Sequence, residues 1–195
     1  MNKILKLTAL LVSILILTNQ VHAKKSSYKD KYKLSQTETI NEVLKFDSSH
    51  ADNHITVFNV YGSIEVEGYD GDEIIVEAKN KVFANTQSLI ESGIDEIGLR
   101  FEKFGQKIYV ILDSPYTYFD QEEDKIRHSD TCWRHDDCSR KHQNKKAYKY
   151  NMDIKVLLPQ NTNIKVSAIN NGDIDISGIH AKHLNVNNIN GARYG

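Results

Sequence analysis

The sequence predicts a mostly β protein: a single-stranded, right-handed β-helix-like solenoid with one short helix and a β-hairpin insertion. Three observations carry that expectation. Apolar residues recur two apart, the period of a strand that buries one face. Glycines close these runs where a strand must turn. The phrase built this way occurs twice, so that Gly62, Ile64, Val66, Gly68, Ile74 and Val76 superpose without a gap on Gly172, Ile174, Ile176, Gly178, Leu184 and Val186. The second copy also repeats on itself, with Ile164 and Val166 returning as Leu184 and Val186. Ile169-Asn170-Asn171-Gly172 likewise returns, one residue short, as Asn188-Ile189-Asn190-Gly191. A period of about twenty residues is the length of a solenoid coil, whose hydrophobic face stays open until a neighbour stacks on it. An antiparallel meander with similar turns is the competing arrangement.

Residues 1–23 carry Lys3 and Lys6, an apolar run from Leu7 to Leu17, and Val21-His22-Ala23. That is the layout of a secretory signal peptide, with cleavage expected between Ala23 and Lys24. The apolar run is too short, and wrongly flanked, for a lasting membrane span, so none is expected in the mature chain. A lipoprotein signal would place a cysteine just after the run, whereas Cys132 and Cys138 are the only cysteines. Removing 23 residues from 195 leaves 172, enough for one domain with a real core. Without Lys3 and Lys6 the 25 basic residues become 23, against 26 acidic ones, a balance with no nucleic-acid footprint. A polar segment is expected over 24–37 and the solenoid domain over 38–195.

Within that domain, residues 39–46 and 55–59 read as strands leading into the first repeat. Residues 86–97 place Leu89, Ile90, Ile94 and Ile97 on one helical face and Glu91, Asp95 and Glu96 on the other, with Gly93 between them. A hairpin follows: Leu99 and Phe101 in alternation, a turn around Phe104-Gly105, then Ile108, Val110 and Leu112 on one face of a strand. From 113 to 149 the pattern dissolves into charge, which predicts a long surface insertion. Order resumes at 152–159 and turns at Pro159. After Gly191 the pattern asks for an apolar residue two places on and finds Arg193 before Gly195. The expectation is a C-terminally truncated coil, whose open edge would pair with a second copy as a homodimer.

Asn-Val-Tyr-Gly-Ser-Ile-Glu-Val-Glu-Gly at 59–68, Tyr109-Val110-Ile111-Leu112-Asp113-Ser114-Pro115, Leu158-Pro159 and Ile169-Asn170-Asn171-Gly172-Asp173-Ile174 carry a resemblance. Together with the signal peptide, they resemble the putative adhesin family of bacterial exported proteins over most of 38–195. The resemblance implies a repetitive β-helix-like domain, secreted or facing the envelope, with no recognised catalytic motif.

The dense cluster of reactive side chains is His128, Cys132, His135, Asp136, Asp137, Cys138 and His142. In an oxidising compartment Cys132 and Cys138 are expected to pair as a disulfide that pins the loop, with Trp133 held between them. The competing states are free thiols and a structural metal on His128, Cys132, His135, Cys138 and His142, since thiolate and imidazole are favoured zinc donors. Tyr116, Tyr118, Phe119, Tyr148 and Tyr150 read either as an aromatic binding surface or, for Tyr148, Tyr150 and Met152, as ordinary strand residues. Asp70, Asp72 and Glu73 beside Gly71, and Asp173 and Asp175 beside Gly172, match no calcium loop and read as polar corners. Neither Gly-x-Ser-x-Gly, His-Glu-x-x-His nor a phosphate-cradling loop occurs.

The expected function is therefore an exported, non-catalytic β-solenoid protein without cofactor, structural or adhesive in role, in the periplasm, outer envelope or outside the cell. A glycan or protein at the envelope or surface is the expected partner, and nucleic acid is not. Two alternatives from other classes stand beside it. One is an envelope polysaccharide-processing enzyme on the same scaffold, using carboxylates paired by folding. The other is a metal-binding sensor built on the His and Cys loop.

Overall fold

The computed structural model describes residues 31–115, 117–120, 122–123, 125–128, 148–170 and 172–189. Among them are twelve strands and one helix: β1 (Leu34–Lys45), β2 (His54–Tyr61), β3 (Ile64–Tyr69), β4 (Glu73–Ala84), α1 (Gln87–Glu96), β5 (Gly98–Phe104) and β6 (Lys107–Asp113), then β7 (Thr117–Asp120), β8 (Lys125–His128), β9 (Tyr148–Pro159), β10 (Asn163–Asn170), β11 (Ile174–Ser177) and β12 (Leu184–Asn188). Sheet I has the order β1-β4-β9-β3-β11, sheet II the order β12-β10-β2-β6-β5, and β7 pairs with β8 as a separate hairpin.

Where a single-stranded, right-handed β-helix-like solenoid was expected, the strands form two mixed sheets. β9, β3 and β11 run parallel in sheet I, while β4 and β1 join antiparallel. β6, β2, β10 and β12 run parallel in sheet II, while β5 closes its edge antiparallel. Apolar rows cross the parallel part in exact register: Ile108, Ile55, Ile164 and Leu184, then Val110, Val57, Val166 and Val186. Sheet I faces them with Ile154, Ile64 and Ile174, then Val156, Val66 and Ile176. Most of these side chains are buried in one continuous core, at about 1.5–3 kcal/mol per fully buried aliphatic. Leu184, on the edge strand, stays 53 % exposed.

The sequence repeat holds in space for its first four positions and fails for its last two. Ile64 pairs with Ile174 and Val66 with Ile176, as the alignment has them. Ile74 and Val76, however, lie on β4 in sheet I, whereas Leu184 and Val186 lie on β12 in sheet II. The cause is the turn after the second glycine. Gly178 has φ +65° and leaves its strand, while Gly68 continues β3 to Tyr69. The Tyr69 hydroxyl then donates to the Glu73 carbonyl at 3.0 Å and accepts the Glu73 N–H at 3.3 Å. This closes the turn that brings β4 back antiparallel.

The first glycine of each copy forms a stacked corner. A Cβ at Gly172 would lie 1.8 Å from the Gly62 carbonyl oxygen, and one at Gly62 would lie 2.0 Å from that of Met152. Gly62 also has φ +126°, which side chains rarely adopt. Buried Asn59 completes the corner, donating to the Met152 carbonyl at 2.6 Å and accepting the Val60 N–H at 2.8 Å. Asp153 accepts both the N–H and the hydroxyl of Ser63, at 2.9 and 2.7 Å.

The helix lies where its periodicity predicts. The Thr86 hydroxyl caps it by accepting the Leu89 N–H, and Ile90 and Ile97 are buried. Gly93 faces β4, where a Cβ would come 2.6 Å from Val82 Cγ1. The β5–β6 hairpin is also present, turning at Gly105 with φ +59°. It is no appendage, because β6 is itself a parallel row of sheet II. Two further boundaries differ from expectation. β1 begins at Leu34, inside the polar segment, and the 113–149 insertion contains β7, β8 and the start of β9.

Candidate functional site

The alternation that sends Ile55 and Val57 inward sends their neighbours to the outer face of sheet II. Register then aligns those neighbours in rows across the strands. One row holds Phe104, Lys107, His54 and Asn163, each opposite the next. The Asn163 side chain extends it, accepting the His183 N–H at 3.1 Å while donating to the Ala51 carbonyl at 2.9 Å. The next row holds Glu102, Tyr109, Thr56, Lys165 and Asn185, and a third holds Arg100, Ile111, Phe58, Ser167 and Asn187.

The third row is covered by β7. Phe119 packs on Phe58 and Tyr109 with ring centroids 5.2 Å from each, burying Phe58, Tyr109 and Ile111. The first two rows border a cleft of about 420 Å³, lined by side chains of β2, β6 and β10 and by Asp52, His183 and Asn185, with Thr56, Tyr109 and Asn163 buried. Its charged lining is Lys107 and Lys165 against Asp52, with the imidazoles of His54 and His183 alongside. The Asp52 backbone N–H donates to His50 Nδ1 at 3.1 Å. Lys165 Nζ lies 5.5 Å from the centroid of the Phe58 ring, which fixes its stem along the face. Phe104 stands at the rim, 47 % exposed and edge-on to Tyr109 at 6.0 Å.

Sheet I presents a different outer face. Lys155 donates to Glu65 at 2.7 Å and lies 3.4 Å from Glu67, and these hydrogen bonds hold its ammonium pKa above the usual 10.5. Lys79 pairs with Glu77 at 3.0 Å. A second cleft, of about 320 Å³, lies between the end of β1 and the β3–β4 turn. Its charges are matched, since Lys45 pairs with Asp72 and Lys103 with Asp47. The hydrogen bond to Lys45 keeps the Asp72 carboxyl below its ordinary 3.8.

Cys132, His135, Cys138 and His142 lie outside the described residues, and so does the Cys132–Cys138 pairing. The cleavage point at Ala23 and Lys24 and the glycine at Gly191 also lie outside them. His128 ends β8. Among the described residues no three His, Cys, Asp or Glu side chains converge for a metal ion. Tyr148 and Tyr150 are buried strand residues beside Met152 rather than part of a binding surface, whereas Tyr118 is 50 % exposed. Asp72 serves a turn and an ion pair, and the Asp173 carbonyl accepts the Ile64 N–H at 2.9 Å in the corner stack.

The residues of the cleft escaped sequence reasoning. Their signal is positional: Lys107, Thr56, Lys165 and Asn185 flank the apolar positions that make the repeat. Aligning the strands on those apolar positions stacks the polar ones as well.

No family model matches the chain, and no curated protein does. Two solved structures share some of its shape. One is a putative cell adhesion protein from Clostridium sporogenes ATCC 15579, with TM-score 0.41 and 12 % identity over 80 % of this chain and 59 % of that one. The other is a putative adhesin from Bacteroides fragilis NCTC 9343, with TM-score 0.30 and 13 % identity over 78 % and 60 %. The chain thus spans about three fifths of each. At these scores neither likeness carries an argument about fold or function.

Proposed function

We propose that this chain is an exported, non-catalytic protein of structural or adhesive role at the cell envelope or surface, which binds a glycan polymer along the outer face of sheet II. The parallel strands act as stacked solenoid coils, β6 with β9, β2 with β3 and β10 with β11, and the coil repeat becomes a repeat of surface side chains. The observation that carries the proposal is the pair of rows in register across β6, β2 and β10, the second continuing to Asn185 on β12. Neighbouring strands are about 4.8 Å apart, so each row offers a polar or aromatic group at a fixed interval. A polymer with its own regular repeat can meet such a row unit by unit. Export rests on the amino-terminal pattern of Lys3, Lys6, the apolar run and Ala23. Among the described lining residues of the cleft Asp52 is the one carboxylate. Two facing carboxylates would be needed for acid and base roles in glycoside cleavage.

The test is retention of the full chain on a panel of immobilised neutral and charged polysaccharides, with the polymer length measured after prolonged incubation. Retention without shortening is expected. Shortened polymer, or no retention on any member, contradicts the proposal.

A further inference from the structure

We infer that two copies of this chain join end to end, each copy's β12 filling the strand position that the other copy's sheet I leaves beside β11. Sheet II overhangs sheet I at that end of the molecule. Among the described residues the parallel strands are β6, β2, β10 and β12 in sheet II, but only β9, β3 and β11 in sheet I. β12 therefore has no facing strand among them, and its inward side chains register the lack. Leu184 is 53 % exposed, whereas Ile164, Ile55 and Ile108 of the same row are buried. Ile189, just past β12, is 44 % exposed.

The backbone at both edges is set to pair. The His183 carbonyl accepts the Ile164 N–H and the Ile189 N–H donates to the Ala168 carbonyl, so alternation turns the amides and carbonyls of Leu184, Val186 and Asn188 away from β10. The Asp173 carbonyl accepts the Ile64 N–H, which likewise turns the backbone of Ile174 and Ile176 away from β3. A twofold axis running along the strands lays the partner's β12 beside β11 and the partner's β11 beside β12. Both overhangs are filled at once, and Leu184 and Val186 of the two copies close on one another as a shared core. Charge does not guard this end: β12 carries none, and β11 has Asp175 on its outer side. The edges at the far end are guarded, β1 by Glu38, Glu42 and Lys45 and β5 by Arg100, Glu102 and Lys103, which disfavours head-to-tail chains of copies. The twofold also turns the two sheet II outer faces in opposite directions, so that one dimer can hold two polymers; this consequence, unlike the dimer, rests on the glycan-binding proposal.

The experiment is sedimentation equilibrium of the full chain over a range of concentrations, with no ligand present. A reversible dimer is expected. Leu184→Lys should raise its dissociation constant about a hundredfold, because each dimer would then bury two lysines. Leu184 is more than half exposed in the single copy, so the variant should keep the circular dichroism of the folded chain. Val43→Lys, an equally exposed apolar position on β1 at the far end, should leave the dimer unchanged. Amide hydrogen exchange gives an independent readout: the N–H groups of Ile176 and Val186 should be slowed in the dimer and released in Leu184→Lys. A chain that stays monomeric at every concentration overturns the inference. So does a dimer that survives Leu184→Lys, which places the contact elsewhere. Growth beyond the dimer that Val43→Lys abolishes overturns the twofold arrangement in favour of head-to-tail stacking.

Discussion

The outer faces of the two sheets are built by the same alternation and carry opposite kinds of surface. On sheet I the charged positions answer one another, with Glu65 and Glu67 around Lys155 and Glu77 beside Lys79. Exposed pairs of that sort contribute little to stability, and they leave little net field. On sheet II the first two rows hold lysine, histidine and asparagine together with Thr56, Tyr109 and a Glu102 that pairs with Arg100 at 3.2 Å, and aromatic packing by Phe119 covers the third. The lesson is that a stacked β core fixes the spacing of both faces but the chemistry of neither. Inward residues specify which strands pair, and outward residues are then free to neutralise one another or to converge on a ligand.

The strongest way to break the comparison is to remove the stack that supports both faces. Gly172→Ala places a methyl group against the Gly62 carbonyl, where only backbone could yield. Loss of about 3 kcal/mol or more is expected in chemical denaturation, with both faces disrupted. Gly105→Ala, in a hairpin turn with nothing within 4 Å of the added Cβ, should cost only about 1–2 kcal/mol from its left-handed φ. Equal losses at the two positions would mean that the corner contacts are unimportant.

Phe119→Ala sharpens the comparison by acting on sheet II alone. It uncovers Phe58 and Tyr109 and should destabilise by about 2 kcal/mol, less than a fully buried phenylalanine because Phe119 is half-buried. Binding through the first two rows should persist. Lys107→Ala should do the reverse, weakening polysaccharide retention while leaving stability within about 0.5 kcal/mol.

The smallest effects belong to the sheet I ion pairs and to the Lys45–Asp72 pair, and their pH dependence has a definite sign. Lys155 has a raised folded pKa, so its contribution is complete below 10.5 and is lost as pH climbs through the raised value. Asp72 has a lowered one, so its contribution is complete above 3.8 and is lost as pH falls through the lowered value. Lys155→Met and Asp72→Asn should flatten the alkaline and acid limbs of the stability profile respectively. Both changes should be slight, since all these groups are exposed, and neither should alter ligand binding.

Much of this was legible in the sequence because short-range signals and core contacts agreed. The apolar face of α1, the turn at Phe104-Gly105 and the period-two strands are local patterns, and each is present in the fold. The repeat correctly paired Ile64 with Ile174 and Val66 with Ile176. It misled at Ile74 and Val76, where two residues of the same apolar type enter different sheets. A period of two marks which face is buried without saying which strand lies alongside. That choice rested on the Tyr69–Glu73 turn and on the positive φ of Gly178, neither of which the alternation encodes. The cleft was hidden for a related reason: His54, Lys107, Lys165 and His183 are far apart in the chain and meet only once β6, β2, β10 and β12 are in register.

The most direct test of the central claim is to titrate an oligosaccharide of a polysaccharide that retains the chain into isotopically labelled full-length chain and map which backbone amides shift. The account predicts shifts at His54, Lys107, Asn163, Lys165 and His183, with Glu65, Glu67 and Lys155 unmoved. Shifts centred on sheet I, or saturating binding that leaves the sheet II rows unchanged, would contradict it.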